Sequence, residues 1–291
     1  MTDKPGLFPE LEMAKNPPPL IINAALTGIV PGKADTQHVP VTVDEIVADA
    51  IRCFDAGATI IHIHARDARG NPSSDPVLYG EIVSRVRAIR PEAILCVTTT
   101  GRGGADSMQR ASVLDLMGEE KPDMASLTLG SVDFRDTSCV NTAGDVRELA
   151  EKMRDKSILS ELEIFHSGML NTARILLAKD VLKGPIYCNL ILGSPHMAQG
   201  SLAEMNHLVG LLPKGTNWAA GGVGHYQYTV NMMALTLGGH VRVGLEDNIW
   251  LDRDRTRLAT NLELVERVVR MADEMNRKVA TPEQAREILG L

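Results

Sequence analysis

The sequence is poor in aromatic residues and has no long apolar run. Aromatic side chains make up 3% of the 291 residues, so a core of aliphatic residues and methionine is expected. No apolar run reaches the length that a membrane-spanning helix needs, and the N-terminus lacks the apolar core of a signal peptide. We therefore expect no membrane partner.

Basic clusters and paired cysteine motifs are also missing. The formal net charge is −7, which argues against nucleic acid or an anionic membrane surface as a partner. The four cysteines are scattered, with no Cys-x-x-Cys pair. This usage is typical of reduced thiols in a cytosolic protein, and it predicts a cytoplasmic location.

Strand-like apolar runs alternate with helical patterns along most of the chain. The predicted strands are residues 20–26, 58–67, 94–98, 124–129, 162–165, 186–192, about 218–219, and 240–245. The predicted helices are residues 42–57, 76–90, 105–117, 142–154, 169–179, 201–212, 227–237 and 262–275, followed by a short one that starts at Thr281. The helix after strand one has a capping box, with Thr42 as N-cap and Glu45 three residues later.

Strands that alternate with helices form a parallel sheet. Eight such units in this length predict a closed (β/α)8 TIM barrel over residues 20–291, preceded by a proline-rich N-terminal arm at residues 1–19. The alternative is an open doubly wound sheet, but no Gly-x-Gly-x-x-Gly follows strand one.

His62 and His64 lie at the end of the second predicted strand. Residues two apart on a strand point to the same face, so both imidazoles share one direction. Two histidines in this arrangement can supply two ligands to one metal ion. The alternative is a pair of buried histidines satisfied by hydrogen bonds.

Other polar residues also follow barrel strands, at the end where barrel enzymes place their chemistry. Glu246, after strand eight, is the natural third metal ligand, because strands two and eight both neighbour strand one in a closed barrel. Arg242 and Asp247 could form a buried ion pair there, or a surface pair. The polar side chains at the ends of strands three, four and five are Thr98, Ser126 and His166. The glycines at residues 221, 222 and 224 indicate either a phosphate-binding loop or a tight turn.

Several segments together resemble the β-keto acid cleavage enzymes, from about residue 20 to the C-terminus. They are NAALTG at residues 23–28, HIH at 62–64, MASL at 124–127, GHVRVGLEDN at 239–248 and ATPEQAR at 280–286. The resemblance implies a zinc-dependent (β/α)8 barrel, usually a homotetramer. It implies a transferase that converts a β-keto acid and acetyl-CoA into acetoacetate and a new acyl-CoA.

The resemblance also implies roles for individual residues. The zinc ligands would be His62, His64 and Glu246. Asp247, supported by Arg242, would be the catalytic base. The hydroxyls of Thr98 and Ser126 would bind substrate.

Val30 departs from the family pattern, because relatives that cleave 3-keto-5-aminohexanoate have a glutamate there that contacts the substrate amine. An ammonium group would lose hydration beside Val30 without gaining a partner. We therefore expect a substrate with an apolar or anionic side group. Arg102 is a candidate partner for an anion, or a solvent-facing arginine.

Two other classes of function remain open at this point. A metal-dependent amidohydrolase would use His-x-His with His166, His196 and Asp247, although here the motif lies on strand two. A non-catalytic binding barrel would hold a small molecule without turnover. Dependence on CoA separates the transferase from the hydrolase, because a hydrolase needs only water. A metal-free preparation with no acyl transfer to any β-keto acid would favour the binding barrel.

Overall fold

The computed structural model describes residues 17–102, 104–135 and 137–291. Within them, eight strands close into a barrel and an α-helix follows each strand. The strands are β1 (Ile22–Ala25), β2 (Ile60–Ile63), β3 (Ile94–Val97), β4 (Met124–Thr128), β5 (Leu159–Ile164), β6 (Tyr187–Leu192), β7 (Asn217–Gly222) and β8 (His240–Val243). The helices are α1 (Val43–Asp55), α2 (Pro76–Ile89), α3 (Ser107–Ala111), α4 (Ala143–Asp155), α5 (Ser167–Ala178), α6 (Leu202–Leu211), α7 (Gln227–Thr236), α8 (Asn261–Glu274) and the terminal α9 (Pro282–Leu289). The predicted (β/α)8 fold is confirmed.

Strand β1 lies between β2 and β8, and all three run parallel. In this register Ala25 pairs with His62, and Asn23 pairs with Arg242. The chain segments that leave β2 and β8 therefore meet at one end of the barrel, as the sequence predicts.

The capping box of α1 is formed as predicted. Thr42 Oγ1 accepts from the backbone N–H of Glu45, and the Glu45 carboxylate accepts from the backbone N–H of Thr42. Ile46 and Ala50 lie on the buried face. Gly57 follows the helix with a φ of 115°, a conformation that side chains other than glycine rarely adopt. Local capping and patterning thus fix the helix that leads into the histidine strand.

The helix predicted for residues 105–117 is shorter in the structure. The α-helix ends at Ala111 and a 3-10 turn, Ser112–Asp115, continues it. The Ser112 hydroxyl donates to the carbonyl oxygen of Gln109 at 2.6 Å. A serine that bonds the preceding turn competes with the regular helical pattern, and the chain changes geometry at this residue.

Strand β7 is longer than predicted, because Gly221 and Gly222 belong to it. A Cβ atom at Gly221 would lie 3.2 Å from Arg242 Cγ, and one at Gly222 would lie 2.5 Å from the carbonyl oxygen of Tyr226. These two glycines therefore make room for Arg242 and for the turn after the strand.

The N-terminal end of the barrel is closed by apolar side chains. Ile60, Ile94 and Met124 pack there with Ala285 and Leu289 of α9. Residues 1–16 of the predicted arm lie outside the described residues, and the division into an arm and one barrel domain stays a prediction. Among the helices described, none is both long and apolar enough to cross a membrane.

Candidate active site

His62 and His64 point to one place at the C-terminal end of the barrel. His62 is in β2, and His64 follows the strand, where the chain turns into a short antiparallel ribbon. The two Nε2 atoms are 3.2 Å apart and both side chains are buried. The prediction that the imidazoles share one direction is confirmed.

Glu246 faces both histidines from the turn after β8. Its Oε1 lies 3.3 Å from His64 Nε2, and its Oε2 lies 3.7 Å from His62 Nε2. A Cβ atom at Gly28, which has a φ of 65°, would collide with the Glu246 side chain. Glycine in the loop after β1 therefore gives the carboxylate its place beside the histidines.

The three side chains fit a divalent metal ion. One ligand atom from each of His62, His64 and Glu246 lies within 4.8 Å of the others. Glu246 Oε2 is buried and accepts no hydrogen bond from the described residues, which is unusual for a carboxylate oxygen. Two imidazole nitrogens and one carboxylate oxygen are a typical ligand set of catalytic zinc sites.

Glu161, on β5, lies behind His62 and was missed in the sequence. Its Oε2 is 2.8 Å from His62 Nδ1 and 3.3 Å from Cys96 Sγ. Its Oε1 accepts from the side-chain amides of Asn23 and Asn189. The predicted strand began at residue 162, one position too late to include it. The alternation Ser-Glu-Leu-Glu-Ile at residues 160–164 was the available signal, since it places two acids on one face.

Arg242 is the centre of a buried group of carboxylates. Its Nε donates to Asp247 Oδ2 at 3.0 Å, and its Nη2 donates to Glu246 Oε1 at 2.6 Å. Its Nη1 lies 3.5 Å from Glu163 Oε1. Arg242 is 1% exposed, so the predicted ion pair with Asp247 is a buried one. One guanidinium thereby holds an acid of β5 and two acids of the turn after β8 in fixed positions.

The two neighbouring acids respond differently to this environment. Burial raises the pKa of Glu246, but Arg242 and the histidines outweigh it and hold the pKa well below its usual value. Burial also raises the pKa of Asp247. The lowering by Arg242 is smaller than this effect of burial, so the pKa lies above its usual value. Arg242 favours the ionised form of Asp247, but burial and Glu246 together outweigh it. Environments that separate the two pKa values are typical of acid–base sites.

A cavity of about 610 Å³ opens above these residues. Val30, Thr98 and Arg102 line it, beside His64 and the Arg242 group. The Arg102 guanidinium also stacks on Phe134, 3.7 Å from the ring centroid. The cavity therefore brings Val30 and Thr98 to the same space as the histidine and carboxylate cluster.

Ser126 is placed below this cavity rather than on its wall. It is 2% exposed and is absent from the lining. Its Oγ lies 3.4 Å from Thr98 Oγ1 and accepts from the backbone N–H of Thr99 at 3.3 Å. Its contacts are with the strand end that carries Thr98.

Two histidines that an amidohydrolase would need, His166 and His196, do not join this cluster. His166 caps α5, where its Nδ1 accepts from the backbone N–H of Gly168 at 3.2 Å. His196 is exposed, in the loop after β6. Neither histidine lines the cavity, so the geometry gives no support to that alternative.

Curated relatives match almost the whole chain. The 3-keto-5-aminohexanoate cleavage enzymes of Fusobacterium nucleatum and Acetoanaerobium sticklandii are 34% and 35% identical over 273 residues, covering 94% of this chain and 98% of theirs. The 3-oxoadipate:acetyl-CoA acetyltransferase of Cupriavidus necator is 36% identical over 276 residues, covering 94% of this chain and 95% of its own.

The fold also has solved counterparts. The apo structure of ObcA superposes with a TM-score of 0.76 at 22% identity, over 89% of this chain and 66% of the ObcA chain. That likeness supports the barrel and nothing finer. The family model described as beta-keto acid cleavage enzyme matches residues 19–291. As its sequence motifs predict, this chain belongs to the β-keto acid cleavage enzyme family.

Proposed function

We propose that this enzyme converts a β-keto acid and acetyl-CoA into acetoacetate and a new acyl-CoA. The observation that carries the proposal is the convergence of His62, His64 and Glu246 with the Arg242–Asp247 pair on one cavity. Relatives along nearly the full chain carry names for reactions of this type, with 3-oxoadipate or 3-dehydrocarnitine as the second substrate.

A single divalent metal ion, most suitably zinc, would be held by His62, His64 and Glu246. Three protein ligands leave coordination positions for substrate oxygens. The bound metal would act as a Lewis acid toward the keto oxygen and so reduce the cost of removing a proton from the adjacent carbon.

Asp247 would take that proton, from the carbon between the keto and carboxylate groups. Arg242 would orient it, since the guanidinium bonds both Asp247 oxygens at 3.0 and 3.4 Å. The carbanion attacks the acetyl thioester and CoA thiolate leaves. The thiolate then attacks the original keto carbon, the carbon–carbon bond breaks, and acetoacetate departs after regaining a proton. Atoms and charge balance without an oxidant or a reductant.

Thr98 would contact the substrate, because it lines the cavity. Ser126 would act through Thr98 and Thr99, because its hydroxyl bonds the end of β3 and lies beneath the surface. The hydroxyl predicted at this position would therefore position the binding residue instead of touching the ligand.

The side group of the substrate would be apolar or anionic. Val30 is 62% exposed and lines the cavity, together with the apolar Ile29 and the cationic Arg102 and Arg135. Asp35 also lines the cavity, and it is the one acid of the loop after β1 that could replace the missing glutamate. A test of selectivity must therefore replace Asp35 as well as Val30.

The family resemblance further suggests a homotetramer in the cytoplasm. All four cysteines are buried and free, which fits a reducing compartment. Light scattering coupled to size exclusion would test the tetramer, since the mass would be four times 31.5 kDa.

A screen of β-keto acids with acetyl-CoA, detecting acetoacetate and the new acyl-CoA, tests the proposed reaction. Turnover that needs both substrates supports it. Loss of the β-keto acid without acetyl-CoA would instead indicate a hydrolase. If the metal-loaded protein gave no acyl exchange with any β-keto acid, a binding protein would be the better interpretation.

A further inference from the structure

A second cavity adjoins the substrate cavity and is lined by basic residues. It has a volume of about 440 Å³ and is built by the loops that follow β7 and β8, with Arg267 of α8 at its side. The residues common to both cavities are Gly224, His225, Asn248, Trp250 and Arg255. The two spaces therefore adjoin each other at one shared wall.

Three arginines face this second cavity: Arg253, Arg255 and Arg267. Within the described residues, the guanidinium groups of Arg253 and Arg255 donate no hydrogen bond and form no ion pair. The acid among the lining residues, Asp252, accepts instead from the backbone N–H groups of Thr256 and Arg257. With three arginines and one aspartate in its wall, the cavity keeps a net positive charge.

Local backbone geometry holds this arrangement. Asp252 closes the turn that carries Arg253 and Arg255, and Arg255 has a φ of 55°. Such a conformation is costly for a residue with a side chain and is kept where the surroundings demand it. A Cβ atom at Gly224 would lie 3.2 Å from Arg255 Nη2. Glycine at this position lets the guanidinium lie against the wall that both cavities share.

The other side chains give the cavity a fixed frame. Arg267 Nη1 donates to the carbonyl oxygen of Leu251 at 2.7 Å, which ties α8 to the loop after β8. Tyr228 lies between two of the arginines, with the Arg253 and Arg267 guanidinium carbons 5.3 and 5.4 Å from its ring centroid. Arg253 therefore has an aromatic contact that orients it, while its N–H donors stay available.

We propose that this second cavity binds the phosphate groups of CoA, while the acyl end of the molecule reaches over the shared wall into the substrate cavity. The inference rests on the proposed function. Loops after strands seven and eight often form phosphate sites in (β/α)8 barrels, and arginine matches phosphate oxygens with paired N–H donors. The thioester must reach the carbon that Asp247 deprotonates, and the backbone N–H of Gly224 donates to the carbonyl oxygen of Asp247 at 2.8 Å. The shared wall is therefore joined directly to the proposed base.

The test compares two acetyl donors in the double variant Arg253→Gln/Arg255→Gln. Acetyl-CoA carries the phosphates, and S-acetylpantetheine has the same reactive end without them. We expect the KM for acetyl-CoA to rise about tenfold or more, as for the loss of charge-assisted hydrogen bonds. The kcat/KM for S-acetylpantetheine should fall far less. In the single variant Arg253→Gln, whose side chain lines only the second cavity, this constant and the KM for the β-keto acid should stay unchanged. Arg270→Gln, an exposed change of the same charge on α8, is the matched control and should alter none of these constants.

Titration calorimetry separates this inference from the proposed reaction. The wild type should bind CoA and adenosine 3′,5′-bisphosphate, and the double variant should bind both about tenfold more weakly, whereas inorganic phosphate at equal concentration should compete poorly.

CoA binding of this kind without acyl exchange would refute the proposed reaction but not the phosphate site. Acyl exchange with unchanged CoA affinity in the double variant, or equal losses for both acetyl donors, would refute the site but not the reaction. A wild type that does not bind CoA would overturn the site directly.

Discussion

His62 and Glu161 are joined across the barrel, with His62 Nδ1 2.8 Å from Glu161 Oε2, although two other strands separate β2 from β5 in the sheet. Burial raises the pKa of Glu161, but His62 and Arg242 outweigh it and bring the pKa to about 2. An ionised carboxylate accepts, so His62 Nδ1 donates to it and Nε2 is the atom left to bind a metal ion. Carboxylates in this position orient metal-binding histidines and increase their basicity.

Replacing Glu161 with glutamine should weaken metal binding without removing a ligand. Loss of such a carboxylate typically costs about 10–100-fold in metal affinity. Competition with a chromophoric chelator would measure the change in Glu161→Gln. Glu266→Gln, an exposed change of the same kind, is the control. Equal metal affinity in wild type and Glu161→Gln would mean that the carboxylate only fills the barrel interior.

The metal site itself is tested by removing single ligands. His62→Ala and Glu246→Gln should each lose the ion, because two remaining ligands hold a divalent metal poorly. Elemental analysis after dialysis against a weak chelator measures the metal-to-protein ratio. His207→Ala, on the exposed side of α6, should keep one ion per chain. Full occupancy in both ligand variants would remove His62 and Glu246 from the assignment.

The features predicted well from the sequence depend on neighbours along the chain. The capping box of Thr42 and the shared direction of His62 and His64 follow from helix and strand periods alone. The position of Glu246 near the two histidines follows from one further step, because closure of the barrel makes β2 and β8 both neighbours of β1. These elements needed no knowledge of how side chains pack.

The features that were missed depend on partners far away in the chain. A glutamate interrupts the apolar pattern by which a buried strand is recognised. The hydrogen-bond partners that stabilise buried Glu161 lie far away in the sequence, and Asn23 is 138 residues from it. The sequence predicts a loop at Gly221 because glycine is common in loops. In the structure a strand residue must be small at this position, since the Arg242 side chain of the next strand occupies the adjacent space. Ser126 was expected at the substrate because its hydroxyl matched the family, while its depth below the cavity depends on the packing of β3.

The proposed base is tested by Asp247→Asn. The asparagine keeps the volume and one acceptor for Arg242, but it cannot take a proton at neutral pH. We expect kcat to fall by a factor on the order of 10²–10⁴, with metal content and fold unchanged. Steady-state kinetics together with metal analysis measure both quantities, and Asp273→Asn, exposed on α8, is the control. Near-normal turnover in Asp247→Asn would require another group to act as the base.

His240 should make the fold less stable in mild acid. Burial lowers its pKa to about 3, with a further contribution from Arg277, and His240 Nδ1 accepts from the backbone N–H of Ile21 at 3.0 Å. The unfolded chain binds the proton below a pH of about 6.5, the ordinary value, whereas the folded chain does not do so until about 3. Stability should therefore fall as the pH decreases through this window, by at most about 1.4 kcal/mol per pH unit from this group.

The variant His240→Gln removes this titration. Urea unfolding at pH 7.0, 6.0 and 5.0, with a chelator present so that metal release does not contribute, gives the slope of the unfolding free energy with pH. The slope should be smaller in His240→Gln than in the wild type, although the variant is less stable at pH 7. Identical slopes in the two proteins would show that His240 is protonated in the folded chain.

Selectivity for the substrate side group should depend on the loop after β1. Val30 cannot pair with an ammonium group, and burying an unpaired charge beside it is costly. We expect kcat/KM for 5-amino-3-oxohexanoate to be at least about tenfold lower than for an uncharged chain of equal length or a dicarboxylic β-keto acid, given the usual value of a charge-assisted hydrogen bond. Val30→Glu should reverse the order by supplying a carboxylate on the cavity wall.

Asp35 is the competing acid, although one of its oxygens already accepts from the backbone N–H of Gly32 at 2.9 Å. A wild-type preference for the amino compound that disappears in Asp35→Asn would transfer the selectivity from Val30 to Asp35, and a preference that survives in Asp35→Asn would exclude this loop as its source.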